Sequence, residues 1–322
     1  MQSKGLSNFV VSVIIPVYGT EKYIERCVRS LFSQDLDSIQ FIFVNDCTPD
    51  KSIDVLQGLI EDYRGVIEKR KWEVIVVNND KNMGLPRTRQ QGLKYAKGDY
   101  IIHCDSDDWV DSNMYYSMYN KAIEDSSDIV ACDILLTDGT SEIKRIRGCS
   151  NCDKGAFIDN MMFQKDHWSL CNKLIRSGCY SNVQVPKGGM GEDMALTLQL
   201  ILNCKKISYV SGVYYYYYQN PESIVHVQSK DYVLDKYYQL SNNSKLLFDI
   251  YNNRHYYERF KKGIDWLWFW SSNVLIPYLR EKDVYTIWRC HFTGQHISFF
   301  LNSNISFLRK VRHLLILIRL YK

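Results

Sequence analysis

Four short apolar runs, each closed by a polar turn and followed by a helical pattern, constrain this chain more than any other feature. Val10-Val11-Ser12-Val13-Ile14-Ile15-Pro16 is too continuously apolar for a half-exposed strand, so it reads as a central strand buried on both faces. Pro16 ends it, and within residues 21–34 the apolar Ile24, Cys27, Val28 and Leu31 recur at helical spacing. Residues 41–44 form a second run, closed by Asn45-Asp46-Cys47-Thr48-Pro49-Asp50, where Thr48 or Asp50 can cap a helix running toward Tyr63. Residues 72–77 form a third, followed by the polar turn 78–84 and by Pro86, which suits the first turn of a helix continuing to Ala96. Gly98 separates that helix from the fourth run, 100–104, which delivers Asp105, Asp107 and Asp108. Such alternation predicts an α/β fold with a doubly wound, mostly parallel sheet and helices on both faces, binding ligands beyond the carboxyl ends of its strands. Tyr18, Asp46, Asn82 and Asp105 then converge on one crevice.

Beyond Trp109 the pattern continues less regularly. A helix over 113–124 leads to a strand over 128–136, a polar hairpin or loop over 137–155 and a short apolar segment over 168–175. Pro186-Lys187-Gly188-Gly189-Met190-Gly191 then opens a helix that begins with Glu192-Asp193. Residues 207–218 read as a strand ending in five consecutive tyrosines, and from Ser229 onward helical periodicity dominates. With no internal repeat or linker, one elaborated core is favoured over two independent domains.

Composition narrows the class. Hydrophobic residues at 46% and charged residues at 24% exclude a disordered chain. The formal net charge of +4 sits in the tail, where residues 305–322 hold Arg309, Lys310, Arg312, Arg319 and Lys322 with no acid. The rest is near neutral, and no nucleic-acid partner is expected. Of ten cysteines only Cys149 and Cys152 have ligand-like spacing, and without a second pair or a nearby His they read as reduced thiols. The polar N-terminus is unlike a signal peptide, and no stretch approaches the ~20 apolar residues of a spanning helix. A cytoplasmic protein is expected, with any membrane contact peripheral.

The acids at 105–108 are costly to cluster unless a cation absorbs their charge. A lone Asp-x-Asp is weak evidence, since Asp35-Leu36-Asp37 repeats the pattern in a turn where two solvated acids suffice. Asp105 and Asp107 differ because a buried strand carries them into the crevice, where hard oxygen ligands suit Mg²⁺ or Mn²⁺ bridging a diphosphate. The alternative is a set of turn and cap acids. Glu192 and Asp193, at a helix start, are either cap and dipole acids or the place of a general base. One of Arg87 and Arg89 could reach the crevice as an anion clamp. His226 is either structural or a metal or phosphate contact. In the tail, Arg309, Lys310, Arg312, His313 and Arg319 fall on one side of a helix and Phe307, Leu308, Val311, Leu314, Leu315 and Ile318 on another. That pattern fits an interfacial helix drawn to anionic lipid, or an ordinary packed helix with a solvated basic face.

These motifs, in order, resemble glycosyltransferase family 2: Val13-Ile14-Ile15-Pro16-Val17-Tyr18; Asn45 to Asp50; Asn82-Met83-Gly84-Leu85 with Arg89 and Gly92; Gly98-Asp99-Tyr100-Ile101 into Asp105-Ser106-Asp107-Asp108-Trp109; and Glu192-Asp193. The resemblance covers roughly residues 10–226 and implies a GT-A catalytic domain over 1–226, with a helical region over 227–322 for acceptor, membrane or oligomer contacts. It further implies an inverting transfer of one sugar from a UDP-sugar to a saccharide or lipid-linked acceptor of bacterial surface-polysaccharide synthesis, assisted by Mn²⁺ or Mg²⁺. Carried onto this chain, Pro16, Tyr18, Asp46, Asn82, Arg89, Asp105 and Ser106 would hold the nucleotide-sugar, and Asp107 with His226 the metal. Asp193 would be the base, with Glu192, Trp168 and Lys173 near the acceptor. Gln90 stands where Asn is usual, and His103-Cys104 is more polar than the usual pair. Peripheral contact with anionic membrane through 305–322 and a homodimer are further expectations. Two other readings compete. A sugar-phosphate nucleotidyltransferase would carry a basic glycine-rich loop after the first strand, where Pro16-Val17-Tyr18-Gly19-Thr20 stands instead; a non-catalytic carbohydrate-binding relative would have a broken acid set. A processive synthase would carry spanning helices and a Gln-x-x-Arg-Trp motif, and neither occurs.

Overall fold

The computed structural model describes residues 9–219, 229–292 and 296–319. The four apolar runs are strands β1 (Val11–Val17), β2 (Ile39–Asn45), β3 (Glu73–Asn78) and β4 (Tyr100–His103). Between them lie α1 (Ile24–Leu31), α2 (Ser52–Asp62), the short α3 (Arg64–Lys69) and α4 (Leu85–Leu93). They lie side by side as β3-β2-β1-β4, all parallel. Helices cover both faces of the middle strands, so every residue of β1 is buried, whereas β3 at the edge is mostly half-buried. Each fully buried Val, Ile or Phe here contributes roughly 1.5–3 kcal/mol. α1 buries Ile24, Cys27, Val28 and Leu31, the four positions its spacing marks. Asp50 accepts from Ser52 N–H at 3.1 Å, and so satisfies a free donor at the start of α2.

The second half of the sheet is mixed. Its elements are β5 (Trp109–Val110), α5 (Met114–Asp125), β6 (Ile129–Thr137), β7 (Glu142–Ile146), α6 (Lys154–Met162), β8 (Lys173–Arg176), α7 (Glu192–Asn203) and β9 (Ile207–Tyr218). The order continues β4-β8-β6-β9-β5, with β7 paired to β6 as a hairpin. β8 is antiparallel to both β4 and β6, β5 is antiparallel to β9, and β6 with β9 is parallel. Parallel pairing is thus continuous across β3-β2-β1-β4 and recurs between β6 and β9, in a sheet that is mixed as a whole. A four-residue apolar run carries no sign of its own direction, and β8 takes its sense from the loop that returns it between β4 and β6.

The chain ends in α8 (Lys230–Asn253), α9 (Tyr257–Ser272), α10 (Lys282–His291), α11 (His296–Leu301) and α12 (Phe307–Leu317). These helices do not form a separate core. Met194, Leu198 and Ile201 of α7 and Ile129 of β6 belong to the same buried cluster as Leu247, Trp266, Trp288 and Ile316. A second cluster lies beneath α1, α2 and α5 on the sheet. No helix among the described residues is long and apolar enough to cross a membrane.

Candidate active site

A cleft of about 500 Å³ opens at the carboxyl ends of β1, β2 and β4, lined by Pro16, Tyr18, Asp46, Asn82, Asp105, Ser106 and Asp107 among others. Tyr18 is the exposed wall, at 51%. Asp46, at the end of β2, is buried because it organises the facing turn. Its carboxylate accepts from Asn79 Nδ2 at 2.8 Å, Met83 N–H at 2.8 Å and Gly84 N–H at 2.9 Å. Gly84 makes that approach at φ +79°, a conformation that disfavours a side chain, and then opens α4. One carboxylate thus accounts for the Met83-Gly84 turn, and Asn82 Oδ1 accepts from the same Gly84 N–H at 3.1 Å.

The acidic loop after β4 is held from two sides. The Asp105 N–H donates to Tyr215 Oη at 3.1 Å, Tyr215 Oη–H donates to Asp108, and Tyr218 N–H donates to Asp108 Oδ1 at 2.7 Å. Asp108 is therefore the structural member of the cluster. Arg26 of α1 donates to the Asp107 carbonyl at 3.0 Å, its guanidinium 3.7 Å from the Trp109 ring centre and 4.7 Å from that of Tyr218. Sequence reasoning missed Arg26, and its helix offers no signal beyond an ordinary surface arginine. The tyrosine run is partly this clamp, and Tyr217 reaches the cleft wall. By contrast, Asp35 and Asp37 pair with Arg70 at 2.8 and 3.2 Å while 69% and 66% exposed, two solvated acids as their turn suggests.

Arg89 connects the cleft to the start of α7. It is 1% exposed; Nη2 meets Asp105 at 2.6 Å, and Nη1 meets both Asp193, at 2.5 Å, and Glu192. Gly191, at φ +74°, turns the chain so that both acids face this one guanidinium. Their environments separate them. Burial, aided by the Asp193 charge and only opposed by Arg89, pushes Glu192 well above the usual carboxylate range. At Asp193 burial also acts upward, but Arg89 and hydrogen bonds from Glu192 and Arg89 override it and leave the carboxyl below that range. Burial thus favours the neutral form of Glu192 and the Arg89 charge the ionised form of Asp193, whose side chain is 31% exposed. His103 beneath them is held neutral, its pKa lowered to about 3 by burial and by Arg89.

Five expectations need correction or limits. Arg89 does not line the cleft, and it touches the nucleotide side only through Asp105; Arg87 is exposed. Glu192 is 3% exposed and bound to Arg89, so it does not face an acceptor. Lys173 is fully buried, with Nζ donating to the His167 and Ser169 carbonyls and to Asn172 Oδ1 at 2.7–2.9 Å, which leaves no donor for an acceptor sugar. Half-buried Trp168 donates to the Met161 carbonyl and packs edge-on to Trp270 at 5.0 Å. Both hold the 166–173 loop against the helices. His226 lies outside the described residues.

The donor set fits a divalent metal of the hard type. Asp105 and Asp107 present carboxylate oxygens to one cleft, and Mg²⁺ or Mn²⁺ is bound through one or two carboxylates plus substrate phosphates rather than by an all-protein cage. Among the described residues no group of three or more His, Cys, Asp or Glu side chains forms such a cage.

Residues 12–182 match the family described as glycosyl transferase family 2. The chain belongs to that family. This glycosyltransferase is 27% identical over 248 residues to the uncharacterized glycosyltransferase EpsJ of Bacillus subtilis, covering 74% of this chain and 69% of that protein. It is 31% identical over 211 residues to a poly(ribitol-phosphate) beta-glucosyltransferase of Bacillus spizizenii, covering 65% of this chain but 32% of the relative. Among solved structures, S. aureus TarS 1–349 in complex with UDP-GlcNAc superposes with a TM-score of 0.60 at 18% identity, over 90% of this chain and 92% of that one. That likeness establishes the GT-A fold of the enzyme.

Proposed function

We propose that the enzyme moves a single sugar, with inversion, from a UDP-sugar to a hydroxyl of a saccharide or lipid-linked glycan in surface-polysaccharide assembly. The observation that carries this reading is the Arg89 bridge, which fixes a half-exposed, ionised Asp193 opposite the carboxylate that faces the donor cleft. Inversion requires attack in line with, and opposite to, the departing diphosphate, so the base belongs on the far side of the sugar from the phosphate site. Asp193, at the head of α7 and joined to Asp105 through Arg89, would be that base. Its lowered pKa makes it a weak base in the ground state, adequate when the acceptor hydroxyl acidifies during attack. Pro16, Tyr18, Asp46 and Asn82 would bound the uracil and ribose, with Ser106 alongside. Asp105 and Asp107 would hold Mn²⁺ or Mg²⁺, which when bound supplies positive charge to the diphosphate as its negative charge grows.

The relatives support the donor and the metal. TarS has been crystallised with UDP and with UDP-GlcNAc, and a mannosyltransferase of Pyrobaculum calidifontis, similar in fold at a TM-score of 0.53, with GDP-Man and Mn²⁺. The Bacillus spizizenii relative, by its name, glucosylates a poly(ribitol-phosphate), which agrees with a hydroxyl-rich polymeric acceptor. The deciding experiment is a screen of UDP-sugars for metal-dependent UDP release, repeated with Asp193→Asn. Turnover should fall by about 10²–10⁴ while calorimetric UDP binding stays near the parent value. Parent-level turnover in the variant would remove Asp193 from the mechanism. Silence of the unmodified enzyme toward every UDP-sugar would remove the donor class.

A further inference from the structure

The last two helices leave large apolar side chains in solvent beside basic ones, which an ordinary packed helix with a solvated basic face does not. On α12 the basic side chains rim the packed face, with Lys310 and Arg312 half-buried and Arg309 exposed. Arg312 donates to Asn273 Oδ1 at 3.1 Å, Arg309 lies 5.8 Å from the Trp266 ring centre, and Arg319 just beyond the helix lies 4.4 Å from that of Tyr285. His313 is buried among the rings of Phe269, Trp288, Phe292 and Phe299. Ile316 is buried beneath the helix, but other apolar side chains stand outward: Phe307 and Leu308 are each 77% exposed, Leu314 48% and Ile318 54%. α11 adds Ile297 at 75% and Leu301 at 77%. Large aliphatic and aromatic side chains gathered on two consecutive helices are a patch, not scattered surface residues.

Two basic clefts flank this apolar ridge. One, of about 320 Å³, is bordered by Arg280, Lys282 and Arg319, with Ile316 of α12 in its wall. The other, of about 420 Å³, is bordered by Arg309 and Arg312. The acids beside the first cleft, Glu281 and Asp283, are paired with Lys230 and leave its three cations uncompensated from that side. No acid occurs between residues 305 and 319.

We propose that α11 and α12 form a docking surface for an anionic lipid leaflet. The six exposed apolar side chains enter the headgroup and acyl boundary, while the two clefts receive lipid phosphates. A second copy of the chain is a poorer occupant, because a two-fold contact through this face would set Arg309, Lys310 and Arg319 against their own counterparts. A leaflet supplies hydrocarbon and anion together. The inference does not depend on the proposed donor or base.

Co-sedimentation of the full chain with phosphatidylglycerol vesicles and with phosphatidylcholine vesicles tests it. The unmodified protein should pellet with the anionic vesicles and much less with the zwitterionic ones. Phe307→Ser with Leu308→Ser should weaken that binding roughly tenfold or more. Arg309→Glu with Lys310→Glu should weaken it by at least about fivefold for each charge removed. All these side chains are exposed or half-exposed, so the thermal melt in lipid-free buffer should be unchanged and serves as the check on folding. A protein that stays in the supernatant, or that binds both vesicle types equally, overturns the proposal. So does concentration-dependent self-association in lipid-free buffer that the Phe307 and Leu308 substitutions abolish, which would give the surface to a second copy.

Discussion

Arg89 satisfies three carboxylates with one buried guanidinium, and that arithmetic decides what each acid can do. Asp105 takes Nη2, so the donor side is fixed in place; Asp193 and Glu192 share Nη1, so only one of them is comfortably ionised. A lysine supplies the charge as a single point and cannot span both sides. Arg89→Lys should therefore keep a melting temperature near the parent's and lower kcat by about 10²-fold, with a smaller change in the donor KM. Arg89→Ala, which strips countercharge from buried acids, should cost about 3–5 kcal/mol in denaturant unfolding. If Arg89→Lys turns over like the parent, the two-sided bridge is not what orients Asp193.

Among the elements, β9 does the most for the site while contributing a single residue, Tyr217, to the cleft wall. Its alternating tyrosines send Tyr215 down to the acidic loop, stack Tyr216 on Trp109 at 5.3 Å with planes 7° apart, and let the Tyr218 amide cap Asp108. Removing Asp108 leaves the Tyr215 hydroxyl and the Tyr218 amide without their acceptor. Asp108→Ala should lower stability by roughly 1–3 kcal/mol for each orphaned donor. Asp108→Asn keeps the shape and an acceptor oxygen, and should recover most of that loss in the same thermal melts. Equal losses for both variants would mean that charge at Asp108, not its hydrogen bonds, holds the loop.

For the whole molecule, the shared core matters more than the sheet alone. α7 carries Asp193 at its head and buries Met194, Leu198 and Ile201 against α8, α9 and α10 through one cluster. Tyr251 Oη–H donates to the Leu198 carbonyl at 3.2 Å, and Asn243 accepts from the Lys187 amide at 2.8 Å, so α8 also supports the glycine-rich loop. A fragment ending at Ser229 should thus lack a cooperative melt and bind the dye ANS, because it exposes the underside of the helix that positions the base. A fragment that melts cooperatively and still binds UDP would instead make residues 1–226 an independent domain.

The amino-acid order alone determined the four parallel strands, because two-sided burial demands continuous apolar runs and those runs leave their polar turns at one end. It also set Tyr18, Asp46, Asn82, Asp105 and Asp107 around one cleft, for the same reason of periodicity. Only the tertiary structure decided direction in the second half of the sheet, where short strands carry no directional mark. It alone turned Lys173 inward and made Arg89 a bridge instead of a cleft wall, since the reach and burial of a long side chain depend on what packs above it. The tail shows the limit most plainly: its sequence separates a basic side from an apolar one, but packing against the aromatic rings of α9 and α10 buries His313 from the one and Ile316 from the other, and leaves Arg309 outside together with Phe307 and Leu308.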